Sequence, residues 1–190
     1  PVTGIFIDEG ECVDLINIAE IDHTGQSATA CVDVACEFPL PDPRVIDILD
    51  DENISLYFNN PNIPIANYTF HAYDGKTLTI DISSEFQNCL FIMGSGASIV
   101  VQGQQTTLNL NTNTRLYSCP RMWQGIRVTS GANILMNNST LKDADKGIFL
   151  EDNSHFEIAN SFFYDCVVGV YSPPLGFMSG IWGTITGTTF

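Results

Sequence analysis

Basic residues are scarce in this 190-residue chain: 7 Lys+Arg stand against 22 Asp+Glu, a formal charge of −15. A chain so acidic, with no basic stripe, repels a phosphate backbone, which excludes nucleic acid as a partner. No run of 18 apolar residues occurs, so no transmembrane helix and no membrane insertion are expected. No Cys-x-x-Cys pair occurs, and the three histidines (His23, His71, His155) are scattered, which argues against a structural zinc site. A helical period of 3.6 is missing throughout 75–190. The chain begins at Pro1 without Met, as a trimmed or mature protein would, and no signal peptide is visible. What is present is ample apolar material (44% hydrophobic, 15% charged), enough for a packed core and too much for an acidic disordered tail.

The charge is uneven. Residues 1–85 hold 16 acids and two bases, Arg44 and Lys76, or −14; residues 86–190 carry −1. This shift marks a module boundary or a solvated acidic face. Asp50-Asp51-Glu52 and Asp8-Glu9-Gly10-Glu11 are the places to look for a hard cation, which takes clustered oxygen ligands. Asp50, Asp51 and Glu52 are the candidate metal residues and Ca²⁺ the candidate ion; neither cluster matches an EF-hand loop, and no other cofactor is indicated. The six cysteines fit an oxidising compartment. Cys12, Cys31, Cys36, Cys89 and Cys119 are disulfide candidates, with Cys89 and Cys119 expected near one corner of consecutive coils. Cys166 is expected to be a buried free thiol.

The second half repeats. Gly125-Ile126-Arg127-Val128 recurs as Gly147-Ile148-Phe149-Leu150 and as Gly169-Val170-Tyr171-Ser172, both at steps of 22. The same shift superposes Asn138 on Asn160, Ser139 on Ser161 and Asp143 on Asp165. Gly187-Thr188-Thr189-Phe190 continues the series after an insertion near Ser172–Gly176. Gly96-Ala97-Ser98-Ile99 aligns with Gly131-Ala132-Asn133-Ile134 at a shift of 35, which treats polar Gln104–Thr114 as an insertion. Within each unit the period is two: Ile126 and Val128 flank Arg127, and Ile134 and Met136 flank Leu135. Three short strands per unit of about 22 residues describe one coil of a parallel β-helix. Stacked coils then place Ile126, Ile148 and Val170 in one interior ladder and Leu141, Phe163 and Phe190 in another. Asn138 over Asn160 forms an asparagine ladder at a turn.

The run Cys119-Pro-Arg-Met-Trp-Gln-Gly-Ile-Arg-Val-Thr-Ser-Gly-Ala132, with the coil ending Asn-Ser-Thr-Leu141, resembles the right-handed parallel β-helix repeats of large secreted Bacteroidota surface proteins. Many of these are type IX secretion substrates. The resemblance covers roughly 75–190 and implies an all-β right-handed parallel β-helix and an extracellular or cell-surface location. Residues 1–74 lack the repeat and read as an acidic, irregular, disulfide-pinned N-terminal cap. Gly4–Ile7, Val13–Ala19 and Ile54–Phe58 are expected to be strands, and Pro43–Leu49 a short helix. Residues 75–190 read as the β-helix, truncated or continued by another subunit.

Catalysis is weakly signalled. Asp143 above Asp165, with Lys142 and Arg127 nearby, is the one carboxylate pair a stacked fold would build. His155 beside Glu151 and Asp152 reads as a solvated edge. The Asn-Thr-Asp, Gly-His-Gly and Arg-Ile-Lys motifs of polygalacturonases are absent. The leading expectation is a structural or adhesive protein, a stalk or filament subunit that self-associates end to end. The alternative is a carbohydrate-active domain, binding or cleaving glycans, with Trp182, Tyr171, Trp123 and Phe149 as candidate sugar platforms.

Overall fold

The computed structural model describes residues 15–21, 26–32, 44–118, 121–173 and 180–190. The chain divides into two compact units, 1–40 and 41–190. In the first, β1 (Leu15–Ile21) and β2 (Gln26–Val32) pair antiparallel, Leu15 opposite Val32 and Ile21 opposite Gln26.

The second unit is a parallel β-solenoid of about six turns. Each turn contributes one strand to each of three six-stranded sheets. Sheet I comprises β3 (Val45–Ile48), β6 (Thr69–Ala72), β9 (Leu90–Met93), β12 (Arg115–Ser118), β15 (Thr140–Lys142) and β18 (Phe162–Tyr164). Sheet II comprises β4 (Glu52–Asn53), β7 (Thr77–Ile80), β10 (Ser98–Val101), β13 (Gly125–Val128), β16 (Lys146–Leu150) and β19 (Val168–Tyr171). Sheet III comprises β5 (Ile65–Ala66), β8 (Ser84–Gln87), β11 (Thr107–Asn111), β14 (Asn133–Asn137), β17 (His155–Ala159) and β20 (Trp182–Thr186). No α-helix occurs among the described residues.

Alternation decides which side chains are enclosed. Successive side chains of a strand point to opposite faces, so every second residue enters the coil. Parallel pairing then stacks like positions along the axis. Leu78, Ile99, Ile126, Ile148 and Val170 form one interior column. Phe86, Leu110, Met136, Ile158 and Ile185 form another, and Phe70, Phe91, Leu116, Leu141 and Phe163 a third. Phe70 stacks on Phe91 at 4.7 Å, and Phe163 on Phe190 at 4.9 Å. Burying each such side chain contributes about 1.5–3 kcal/mol. Both ladders read from the repeat are therefore present, Leu141–Phe163–Phe190 among them.

The repeated glycines follow from this packing. A Cβ on Gly147 would meet the Phe163 ring at 3.0 Å, and one on Gly169 would meet Phe190 at 2.4 Å. Gly125, at φ +98°, would put a Cβ 1.6 Å from the Lys146 carbonyl oxygen. No larger residue fits where the corner backbone presses on the aromatic stack.

The III–I corner carries a second column. Asn67, Asn88, Asn113, Asn138 and Asn160 all lie two residues before a sheet I strand, and all have φ between 48° and 62°. Gly187 takes the place in the sixth coil, φ 57°. Asn tolerates this left-handed backbone better than other side chains, because its amide bonds locally. Asn88 Nδ2 donates to Asn67 Oδ1 at 2.7 Å and Asn113 Nδ2 to Asn88 Oδ1 at 3.4 Å. Asn138 does lie over Asn160, but the Asn160 amide reaches Asn137 Oδ1 (3.4 Å) instead. After the later four asparagines the next residue is small and buried (Cys89, Thr114, Ser139 and Ser161), whereas Tyr68 follows Asn67. Ser139 and Ser161 each donate a hydroxyl to the carbonyl two residues back, at 3.0 and 2.8 Å.

Several expectations need correction. The solenoid begins at Val45, so the boundary at 74/75 cuts through it. Pro43–Leu49 contains strand β3 where a helix was expected, because Ile46 and Ile48 alternate inward onto Phe70 and Ala72. Ile54–Leu56 is a 3₁₀ turn, not a strand. Coil length is about 24 residues on average: Thr77 pairs with Ser98, 21 residues on, and Ser98 with Gly125, 27 on. The 22-residue step holds for Ile126 to Ile148 and Ile148 to Val170. The 35-residue alignment of Gly96 with Gly131 fails, because Ile99 pairs with Ile126. Gln104–Thr114 is no insertion; it contains strand β11, with Leu108 and Leu110 buried. Cys89 consequently sits at the III–I corner, where Sγ lies 3.2 Å from the Ile65 carbonyl, and not at the corner expected for pairing with Cys119. No disulfide forms among the described residues, so the disulfide-pinned cap is not supported. Cys12, Cys36, Cys119 and Gly4–Ile7 lie outside the described residues, and Cys31 falls on β2.

Candidate functional site

Two outward regions of the solenoid bring chemistry-bearing side chains together. One is the I–II corner after β15 and β18. Asp143 and Asp165 both adopt left-handed backbone there, at φ 59° and 51°. Lys142 reaches between them, its Nζ 3.7 Å from Asp143 Oδ1 and 3.5 Å from Asp165 Oδ2. Burial pushes the Asp143 carboxyl above its ordinary range; Lys142 opposes that shift and Asp165 adds to it. Beneath the corner, buried Trp123 donates Nε1–H to the Lys142 carbonyl at 2.8 Å. Cys166 is a free, half-buried thiol beside the pair, its Sγ 3.3 Å from the Tyr164 carbonyl. Burial raises its pKa first, and Asp143 and Asp165 raise it further, so it is kept from the reactive thiolate form. The corner therefore ties one coil to the next by a shared lysine. Arg127, expected beside it, is elsewhere.

Arg127 belongs to the second region, the outward face of sheet II. The outward partner of each interior residue stacks as faithfully as the interior one. Thr79, Val100, Arg127, Phe149 and Tyr171 therefore form one axial column. Phe149 and Tyr171 rings lie 5.4 Å apart, tilted 34°. The Arg127 guanidinium carbon is 5.9 Å from the Phe149 centroid, and Lys146 Nζ is 5.6 Å from that of Tyr171. Each cation keeps a carboxylate: Arg127 Nε donates to Glu151 Oε1 at 2.7 Å, and Lys146 lies 3.3 Å from Asp145. A groove of about 520 Å³ runs beside this column, lined by Thr77, Ser98, Gln124, Arg127, Lys146 and Phe149, among others.

The remaining sequence candidates disperse. Asp51 accepts the Thr77 backbone N–H at 2.9 Å, Asp50 faces Lys76 at 3.4 Å, and Glu52 accepts the Tyr57 hydroxyl. Burial and that carboxylate push the Tyr57 pKa up to about 12. Asp50, Asp51 and Glu52 thus do not converge, and no group of three metal-ligating side chains occurs among the described residues. His155 stacks on exposed Trp182 at 3.7 Å and lies 3.5 Å from Glu157, while Glu151 serves Arg127. Trp123 is fully buried and offers no platform.

The sequence named Phe149 and Tyr171 singly; the 22-residue shift already placed them with Arg127 on one column. Lys146, Asp145 and Gln124 had no such signal, because their positions vary in type from coil to coil. No helix among the described residues is long and apolar enough to cross a membrane. Comparison with protein-family models, curated proteins and solved structures finds no match.

Proposed function

We propose that this chain is an extracellular structural or adhesive element, a stalk or filament subunit whose coils stack end to end. The observation that carries this reading is the continuity of the columns. One interior pattern runs through successive coils, so length is added at about 4.8 Å per coil without changing the cross-section. Such a stack makes a stiff spacer, since each coil gains its buried surface from its neighbours. Ile185 and Phe190, which continue two interior columns, are 42% and 63% exposed. A right-handed coil is the sense parallel strand–crossover–strand connections take. The resemblance to secreted Bacteroidota surface proteins and the acidic, cysteine-containing composition support the extracellular placement.

Negative-stain electron microscopy and sedimentation of the purified chain test the reading. End-to-end oligomers that lengthen with concentration are expected, and Ile185→Glu or Phe190→Glu abolishes them. Short monodisperse particles at every concentration overturn it.

A further inference from the structure

We propose that the outward face of sheet II binds a neutral polysaccharide laid along the solenoid axis. Three observations meet there. First, Phe149 and Tyr171 present their rings on adjacent coils, 5.4 Å apart. That spacing follows from the strand repeat of about 4.8 Å and is close to one sugar ring, so successive sugars meet successive coils in register. An aromatic face takes the C–H side of a pyranose, as it takes other flat partners. Second, the rims carry donors and acceptors together. Arg127, next to Phe149 in the column, is held by Glu151, and Lys146, 5.6 Å from the Tyr171 centroid, is held by Asp145, with Gln124 and Ser98 lining the same groove. A guanidinium–carboxylate pair offers an N–H and an oxygen side by side, which suits vicinal hydroxyls.

Third, the charge selects against an anionic chain. Both cations are already paired with carboxylates, so the face is locally neutral. A uronic-acid or sulfated polymer would have to displace Glu151 and Asp145 to reach them. A neutral glycan leaves both pairs in place. The proposal stands apart from the spacer reading, since a rod with or without this face stacks the same interior.

Calorimetric titration of the full chain with hexasaccharides of β-linked glucose, xylose and mannose tests the proposal, with polygalacturonate as the anionic comparator. At least one neutral glycan is expected to bind saturably, with affinity insensitive to salt. Phe149→Ala and Tyr171→Ala should each weaken it roughly two- to tenfold, the range of one aromatic contact. Phe149→Tyr keeps the ring and should keep binding; Tyr164→Ala, on sheet I, should change nothing. If Phe149→Ala fails to fold, Tyr171→Ala on the outer coil decides. Absence of binding to all three neutral glycans, unchanged affinity in the folded ring variants, or salt-sensitive preference for polygalacturonate overturns the proposal.

Discussion

Replacing the corner asparagines separates two contributions that the column combines. At Asn138 the backbone lies at φ 48° and its N–H donates to the Ala159 carbonyl at 3.2 Å. Alanine there keeps the backbone bond but must occupy left-handed space, at a cost of about 1–2 kcal/mol. Glycine occupies it freely, as Gly187 does in the sixth coil, so Asn138→Gly should fall within about 0.5 kcal/mol of the parent. Asn88 carries a further contribution, its 2.7 Å amide bond to Asn67. A solvent-accessible bond of this kind contributes about 0.5–1.5 kcal/mol. Asn88→Ala should therefore cost roughly 1.5–3.5 kcal/mol, and Asn88→Gly only about the bond. Urea unfolding of the four variants, with amide exchange at the III–I corners as a local readout, gives the comparison. Equal losses for Ala and Gly at both sites would refute the argument, because backbone conformation would then not be what selects asparagine.

The other expectations are simpler. Phe163→Ala removes a ring that is 3% exposed and stacked on Phe190, and should cost about 3–5 kcal/mol in the same unfolding assay. Gly125→Ala should yield little or no folded protein by circular dichroism, since the new methyl meets backbone rather than a movable side chain. The Asp143 carboxyl is raised in the folded state, so the native protein binds its proton more tightly than the unfolded chain does. Its contribution therefore favours folding at low pH and weakens as pH rises from about 3.8 through the folded value. Asp143→Asn, which keeps a residue suited to left-handed backbone, should flatten that part of the stability–pH curve; an unchanged curve counts against burial as the cause. Cys166 should react with iodoacetamide more slowly than glutathione at neutral pH and match it only after denaturation.

How far the residues disclosed the structure depended on how alike the coils are. From Gly125 onward, ladder positions hold residues of one type (Ile126, Ile148, Val170), and pairing and repeat coincide. Earlier coils obey the same rule with different side chains. Leu78 and Ile99 continue that ladder, but Thr77 and Ser98 stand where Gly125 and Gly147 stand later. An alignment by glycine therefore slipped to the wrong corner, and Cys89 went with it. The III–I asparagine was visible at 138 and 160 only, because uneven coil lengths hid Asn67, Asn88 and Asn113.

The sequence by itself determined the strand period, the parallel stacking of the later coils, two interior ladders and the near-neutral charge of the second half. These depend on alternation and on identity between neighbours, both local in the text of the chain. Only the tertiary structure decided where the solenoid begins, which corner Cys89 occupies, and that Arg127 serves the sheet II face and Glu151 and not the Asp143–Asp165 corner. A coil requires only apolar residues inward and a permissive residue at each corner, and many sequences meet that. Which outward side chains meet depends on register, and register changes whenever a corner gains or loses a few residues.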